Sequence, residues 1–183
     1  YADAFFNRGL SHGELGDHSK AVGEYTEAIR LRPNYADAFY NRGNSHVRSG
    51  NHFIAIYDFT EAIRLNPDNV KYWFARGRSY RPLGVHSKAI QDFTEALRLQ
   101  PDDANAFFNR GNSYAELGNH EAAIEDYAEA IRLRPDDADG FYGRGSSHSQ
   151  LGEYPKAIED YTEAIRLDPG YADAFYNRGL SHK

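Results

Sequence analysis

A step of 34 residues runs through the whole of this 183-residue chain. A proline recurs at that step, at Pro33, Pro67, Pro101, Pro135 and Pro169. Two glycines and an alanine keep the same register, as Gly111, Gly118 and Ala130 do in the fourth copy. Because a fixed period of this length indicates stacked structural units, we predict a single array over residues 1–183 and not a set of separate globular domains.

Each copy contains two segments whose apolar residues fall at helical spacing. In the fourth copy, Phe107 and Tyr114 belong to the first segment, and Ala123 and Tyr127 belong to the second. Leu-Gly-Asn at 117–119 suits the end of one helix and the start of the next. A lone hairpin of this kind would leave its apolar face in water, so about three or more hairpins must stack.

The predicted fold class is all-α. Repeats are expected at 1–34, 35–68, 69–102, 103–136 and 137–170, followed by a partial repeat at 171–183. First helices are expected near 3–14, 37–48, 71–82, 105–116, 139–150 and 173–183. Second helices are expected near 18–31, 52–65, 86–99, 120–133 and 154–167.

Composition argues against several classes of function. The net charge of −6 disfavours a partner such as nucleic acid or an anionic membrane. The absence of cysteine excludes disulfides and thiol chemistry. No apolar run reaches the roughly 20 residues of a membrane span, and no signal-like segment is present. The chain opens at Tyr1 without Met, so we expect a piece of a longer protein, with the cytoplasm as the expected compartment.

No nucleophile, base and orienting group recur or converge in the sequence, so neither catalysis nor a cofactor is predicted.

The order of a large residue, Gly, an aromatic residue, Gly, Ala, an aromatic residue, Ala and Pro resembles the tetratricopeptide repeat family. The first copy has this order at Phe5, Gly9, Gly16, Ala21, Tyr25, Ala28 and Pro33. The third copy has it at Trp73, Gly77, Tyr80, Gly84, Ala89, Phe93, Ala96 and Pro101. The resemblance covers the whole chain and implies a right-handed superhelical α-solenoid. It also implies that an extended peptide or protein segment binds in a concave groove lined by first helices.

By the same resemblance, the groove-facing positions lie around the large aromatic residue of each first helix. The candidate peptide-binding residues there are Asn7, Asn41, Asn44, Asn109, Asn112, Asn177, Phe6, Tyr40, Phe74, Phe108, Tyr142, Tyr176 and Arg78. An Asn amide offers both a donor and an acceptor to a peptide backbone. The Asn row is similar to the asparagine ladder in the tetratricopeptide array of O-linked N-acetylglucosamine transferase, although Ala75 and Gly143 interrupt it. The alternative is that these asparagines are solvated or cap helices locally.

The third copy is locally basic. Its cations and its tryptophan are Lys71, Trp73, Arg78, Arg81 and Lys88. They form either a solvated face or a pocket for an acidic side chain. Pro82 is expected to shorten or bend the first helix of this copy.

An arginine precedes the first glycine of every copy, where the family usually has an aliphatic residue. These are Arg8, Arg42, Arg76, Arg110, Arg144 and Arg178. Each second helix carries an acid at one position, namely Glu24, Asp58, Asp92, Asp126 and Asp160. We predict a ladder of arginine–carboxylate pairs between the helices. The alternative is that the arginines face the groove and bind acidic ligands.

Histidines replace aromatic residues at two positions of the repeat. His12, His46 and His148 stand where other copies have Tyr80 and Tyr114, and His18, His52, His86 and His120 stand where the fifth copy has Tyr154. A pair six residues apart, without a third ligand, makes a weak metal site. We therefore predict neutral packing histidines and no metal.

Both ends of the chain lack a polar capping helix, and 171–182 nearly repeats 1–12. We therefore expect end-to-end self-association. The predicted function is a protein–protein interaction scaffold with a protein or peptide partner and no nucleic acid or membrane. A substrate-recruiting or regulatory segment of a larger enzyme, and a passive structural spacer, are the alternatives.

Overall fold

The structure is a computed structural model that describes residues 1–182. Within those residues it contains eleven α-helices, one 3₁₀ turn and no strand. The helices are α1 (Ala2–Glu14), α2 (His18–Leu31), α3 (Ala36–Arg48), α4 (His52–Leu65), α5 (Val70–Tyr80), α6 (His86–Leu99), α7 (Ala104–Glu116), α8 (His120–Leu133), α9 (Ala138–Gln150), α10 (Tyr154–Leu167) and α11 (Ala172–Ser181). Odd numbers are first helices and even numbers are second helices. The all-α prediction is confirmed.

The second helices begin and end at the predicted residues, whereas each first helix begins one residue earlier. The cap explains the difference in α7, because the Asp103 carboxylate accepts hydrogen bonds from the backbone N–H groups of Asn105 and Ala106. Pro82 shortens α5 as expected, since the chain continues after Tyr80 as the 3₁₀ turn. The predicted last helix, 173–183, ends at Ser181, and its final residue lies outside the described part.

The helices form two compact units, Tyr1–Leu99 with α1–α6 and Gln100–Lys183 with α7–α11. Inside each unit, a first helix packs against the second helix of its own repeat and against the second helix of the preceding repeat. In this way α3 contacts α4 and α2, and α9 contacts α10 and α8. Each unit therefore buries the apolar faces of its hairpins by stacking. The single array over 1–183 stays a prediction.

On the first helix of each complete repeat, a glycine lies directly on a buried ring of the second helix. A methyl group added at Gly43 would be 2.7 Å from a ring carbon of Phe59, and one at Gly9 would be 2.6 Å from Tyr25. Both rings are buried. Real side chains do not approach this closely, so only glycine permits the observed spacing of the two helices.

The predicted ladder of arginine–carboxylate pairs is confirmed. Arg42 donates two hydrogen bonds to Asp58, of 3.0 and 2.7 Å, and a third of 3.1 Å to the Thr26 hydroxyl on the preceding second helix. The other two-bond pairs are Arg76–Asp92, Arg110–Asp126 and Arg144–Asp160. Arg42 and Arg76 thus join the second helices on either side of them. The four arginines of the two-bond pairs are engaged between helices and are not available as acidic-ligand sites.

Replacing Gly43 by Ala should destabilise the fold by about 1–3 kcal/mol, because the new methyl group would overlap the Phe59 ring. The matched control is Gly23→Ala in α2, where an added methyl group meets no atom within 4 Å. That control should gain up to about 1 kcal/mol from helix propensity. Urea unfolding monitored by circular dichroism gives both values, and equal midpoints for the two variants would contradict the packing argument.

Replacing Arg110 by Leu should destabilise the protein by about 3–5 kcal/mol, because it leaves Asp126 buried without its guanidinium. Burial raises the pKa of Asp126 even with Arg110 in place, so desolvation is the larger effect. The double variant Arg110→Leu with Asp126→Leu should recover most of the loss. Denaturant unfolding of the two variants measures this coupling, and a single variant as stable as the parent would refute it.

Candidate peptide-binding face

The first helices of each unit lie side by side. Positions that are four and then three residues apart lie on one side of a helix. We call the surface formed by these positions the first-helix face. In the first unit it comprises Asp3, Asn7, Leu10, Asp37, Asn41, Asn44, Lys71, Ala75 and Arg78, and in the second unit Asn105, Asn109, Asn112, Asp139, Gly143, Ser146, Asp173, Asn177 and Leu180.

Two asparagines of the predicted row are held by their own helices. Asn41 donates from Nδ2 to the backbone oxygen of Asp37 at 2.8 Å, and Asn109 donates in the same way to Asn105 at 2.8 Å. Each bond fixes the orientation of an amide on the first-helix face. An Asn amide has two N–H donors and one acceptor oxygen. The bond of Asn41 to Asp37 uses one of the two donors. Asn7 occupies the same position in α1 and is exposed.

Other predicted asparagines take part in packing. Asn112 accepts a hydrogen bond of 2.7 Å from the Tyr127 hydroxyl, and Asn177 donates one of 2.9 Å to the Tyr142 hydroxyl. Asn44 is half-buried on α3. The bonds of Asn112 and Asn177 therefore reach other helices and are not the solvated or local arrangement named as the alternative.

The aromatic row is mostly half-buried, because its rings pack on rings of the second helices. The ring pairs are Phe6–Tyr25, Tyr40–Phe59, Phe74–Phe93, Phe108–Tyr127 and Tyr142–Tyr161, with centroids 5.6–5.9 Å apart. Tyr176 differs from them because it is exposed. Five rings of the row thus support the inter-helix core and present only part of their surface to solvent.

Tyrosines of the following repeat bond to acids on this face. The Tyr35 hydroxyl donates to Asp3 at 3.0 Å, and the Tyr171 hydroxyl donates to Asp139 at 2.9 Å. In the third repeat, Tyr72 gives the same bond to Asp37 at 2.6 Å, although it stands three residues later in the repeat. Burial raises the pKa of Tyr72, so its hydroxyl keeps the proton that it donates. Alignment of the repeats at a step of 34 residues does not pair Tyr72 with Tyr35, so it does not reveal that both tyrosines bond to an acid of the preceding repeat.

The basic residues of the third repeat do not form one cluster. Lys71 and Arg78 are exposed and, at seven residues apart, lie on one side of α5. The ammonium group of Lys88 lies 5.6 Å from the centre of the Tyr80 ring. The Trp73 indole N–H donates to the backbone oxygen of Pro67 at 2.8 Å. The first-helix face therefore carries two cations at this repeat.

His46 and His148 replace ring packing with contacts to acids. His46 Nε2 lies 4.0 Å from an Asp58 oxygen, and His148 Nδ1 lies 2.6 Å from a Glu153 oxygen. Burial lowers the pKa of His46, although the Asp58 carboxylate opposes the shift. Within residues 1–182, no three side chains of His, Asp or Glu come together as metal ligands. None of the helices in that part of the chain has the length and apolar character of a membrane span.

One exposed apolar surface was missed by the sequence reasoning. Phe53, Ile54 and Tyr57 are exposed on α4. The third copy has Ser87, Lys88 and Gln91 at these positions, and the remaining copies are also mainly polar or small there. A comparison of the copies position by position, rather than a search for what they share, would have found this surface.

Comparison with protein families gives matches over most of the chain. A profile described as TPR repeat matches residues 12–50, 77–118, 111–152 and 148–183, and a profile described as tetratricopeptide repeat matches residues 36–69. A sequence comparison with curated proteins gave no match.

Several solved structures have a similar fold. YrrB, described as a TPR protein with an unusual peptide-binding site, aligns with a TM-score of 0.90 at 24% identity, over 98% of this chain and 93% of YrrB. A crystal structure of MamA aligns with a TM-score of 0.88 at 20% identity, over 94% of both chains. MamA from Desulfovibrio magneticus RS-1, from residue 41 to its end, gives 0.88 at 19% identity, over 93% of this chain and 97% of that one. At these identities the likeness concerns the fold.

Stability should fall in mild acid, and His46 should contribute to the fall. Its folded pKa lies below the unfolded value of about 6.5, so the unfolded chain takes up the proton first. The contribution is complete above that pH and is lost as the pH drops towards the folded pKa. Asp58 and Arg42 are the charged groups that act on this imidazole.

The variant His46→Tyr tests this assignment, because Tyr80 and Tyr114 occupy the same position in other repeats. It should lose less stability than the parent between about pH 7.5 and pH 5 in thermal melts. An equal loss in both proteins would contradict the assignment.

Proposed function

Because the chain belongs to the tetratricopeptide repeat family, we propose that it is a non-enzymatic scaffold that binds an extended peptide or protein segment along its first-helix face. The observation that carries this proposal is the Asn41 amide, which its own helix holds in place on that face. Its second N–H and its oxygen are the groups that a peptide backbone requires. Asn109 is held by the same type of bond in the second unit.

The repeat spacing also suits an extended ligand. Packed helices lie about 8–10 Å apart, and an extended chain advances about 3.3 Å per residue. Asn7 and Asn41, at the same position of successive repeats in the first unit, would therefore meet the ligand backbone about three residues apart. These hydrogen bonds recognise only the main chain of the ligand. Any preference for a ligand sequence therefore has to come from protein side chains on either side of the asparagine row. The description of YrrB as having a peptide-binding site supports this use of the fold.

Lys71 and Arg78 give the third repeat a preference for acidic ligand side chains. They flank Ala75 on α5. Ala75 stands at the position where the other repeats of the first unit carry Asn7 and Asn41. Side chains of an extended peptide alternate in direction, so neighbouring residues would approach the two cations from opposite sides. An acidic residue on either side would gain a charge-assisted contact.

Self-association through the chain ends is a second proposed property. It is supported by the exposed apolar residues of α11, where Phe175 is 46%, Tyr176 is 69% and Leu180 is 46% exposed. Apolar surface of this kind is typical of an interface.

Replacing both Asn41 and Asn109 by Ala should weaken peptide capture by each unit, because each change removes a main-chain contact. Losing one such hydrogen bond should cost about 0.5–1.5 kcal/mol, or up to about tenfold in affinity, in each unit. The measurement is a peptide-array screen followed by fluorescence anisotropy, and the peptides retained should be enriched in acidic residues.

The matched control changes Asn34 and Asn51, which lie in loops, to Ala. It should bind like the parent protein. If the Asn41 and Asn109 double variant also binds like the parent, the first-helix face is not the binding surface.

A further inference from the structure

Helix α4 carries three large apolar residues that its own unit leaves in solvent. Phe53 is 76%, Ile54 is 50% and Tyr57 is 62% exposed. Phe53 and Tyr57 stand four residues apart, so they form a ridge along the helix, with Ile54 beside it. Apolar residues grouped in this way are typical of a surface that another molecule covers.

The packing of a second helix does not require apolar residues at these three positions. The buried face of α4 consists of Ala55, Phe59, Ala62 and Ile63, and α6 has the same face in Ala89, Phe93, Ala96 and Leu97. At the three exposed positions, however, α6 has Ser87, Lys88 and Gln91. The apolar residues of α4 are therefore additional to the core that both helices share.

Two cations without a carboxylate partner stand near this surface. Lys88 is exposed on α6, at the position that Ile54 has on α4. Because α4 and α6 pack on either side of α5 and the repeats pack alike, equivalent positions of the two helices lie on one surface of the unit. Arg48 is the exposed last residue of α3, just before the turn that leads into α4. Within residues 1–182, neither Lys88 nor Arg48 lies within ion-pair distance of an acid.

The carboxylates on the second helices of the first unit are already paired with arginines. The pairs are Arg8–Glu24, Arg30–Glu27, Arg42–Asp58, Arg64–Glu61, Arg76–Asp92 and Arg98–Glu95. Lys20, the counterpart of Lys88 on α2, pairs with Asp17 at 2.7 Å. The surface around Phe53 therefore has cations in excess, although the whole chain has a net charge of −6.

We propose that the exposed apolar surface of α4 binds an amphipathic helix of a partner protein, whose apolar stripe is bordered by acidic residues. The ridge of Phe53 and Tyr57 fits between the apolar side chains of such a helix, as ridges fit into grooves when two helices pack. Carboxylates beside the stripe would pair with Lys88 and Arg48. The contact uses no residue of the first-helix face, so it goes beyond the peptide binding proposed above.

Two other occupants fit the charges less well. An anionic membrane would repel a chain of net charge −6. A second copy that bound through the same surface would bring no unpaired carboxylate to Lys88 and Arg48, because the acids of its α2, α4 and α6 are held by arginines. An acidic helical segment supplies both the apolar stripe and the missing charge.

A triple variant with Phe53→Ser, Ile54→Lys and Tyr57→Gln gives α4 the exposed residues of α6, which a second helix of this chain already carries. It should therefore melt as a folded protein. The probe is a library of displayed helical peptides of about 15–18 residues, with a fixed leucine stripe and with Glu, Lys, Gln or Ser beside it.

Peptides that the 183-residue parent retains should be enriched in Glu beside the stripe. By fluorescence anisotropy they should bind the triple variant about tenfold or more weakly, because the apolar contact is lost. Lys88→Glu should reduce the enrichment of Glu. A selection without enrichment of Glu, or peptides that bind the triple variant as tightly as the parent, would overturn the proposal.

Three controls separate this surface from other modes of binding. The Asn41→Ala and Asn109→Ala variant should bind the selected peptides like the parent, and a loss would place them on the first-helix face and overturn the proposal. Vesicles containing phosphatidylserine that bind the parent and not the triple variant would make the occupant a membrane. A dimer that forms in the parent and not in the triple variant, by sedimentation velocity, would make it a second copy. Either of these results would also overturn the assignment.

Discussion

The close contact between a first-helix glycine and a buried ring of the second helix sets the geometry of every repeat. With Gly43 on Phe59 or Gly9 on Tyr25, the two helices approach until no side chain fits between them. This approach brings the arginine beside the glycine within bonding distance of a second-helix carboxylate, as in Arg42 and Asp58. Because the arginine also bonds to a threonine of the preceding second helix, the same contact connects neighbouring repeats.

This division of roles leaves one side of the first helices outside the packing between a first helix and its second helix. The glycine, the arginine and most aromatic rings are occupied between helices, so the remaining positions carry the polar surface that we propose as the binding face. The pairing of Asp3 with Arg32 and Tyr35 lowers the pKa of this carboxyl group and keeps it ionised at the edge of the face. Lys71 stands at the position of Asp3 in the third repeat and puts a cation there.

Much of this architecture follows from the sequence, because residues with fixed packing roles recur at a fixed period. The second helices were predicted at their observed bounds, since a glycine and a proline mark their two ends. The start of α7 and of α9 was harder to predict, because either of two adjacent loop acids could cap the helix, and Asp137 rather than Asp136 does so in α9. The fold class, an array of tetratricopeptide helical hairpins, is confirmed by the family matches and by the structural neighbours.

The candidate site was less predictable than the fold. Whether an asparagine bonds to its own helix, as Asn41 does, or to a tyrosine, as Asn112 does, depends on side chains from another helix. Tyr72 takes the role of Tyr35 from a different position in its repeat, so alignment of the copies conceals it. The peptide-binding role of the Asn row therefore remains a proposal.

The central claim is that the ligand backbone meets the asparagine amides of the first-helix face. Its most direct test is an NMR titration of the protein, with ¹⁵N in the asparagine side chains, by a peptide obtained from the array screen. The side-chain amide signals of Asn41 and Asn109 should shift at the same peptide concentrations as binding, while the signal of Asn51 stays in place. If those two signals do not move and the ring signals of Phe53 and Tyr57 shift, the ligand binds on the exposed apolar surface of α4 and the claim is wrong.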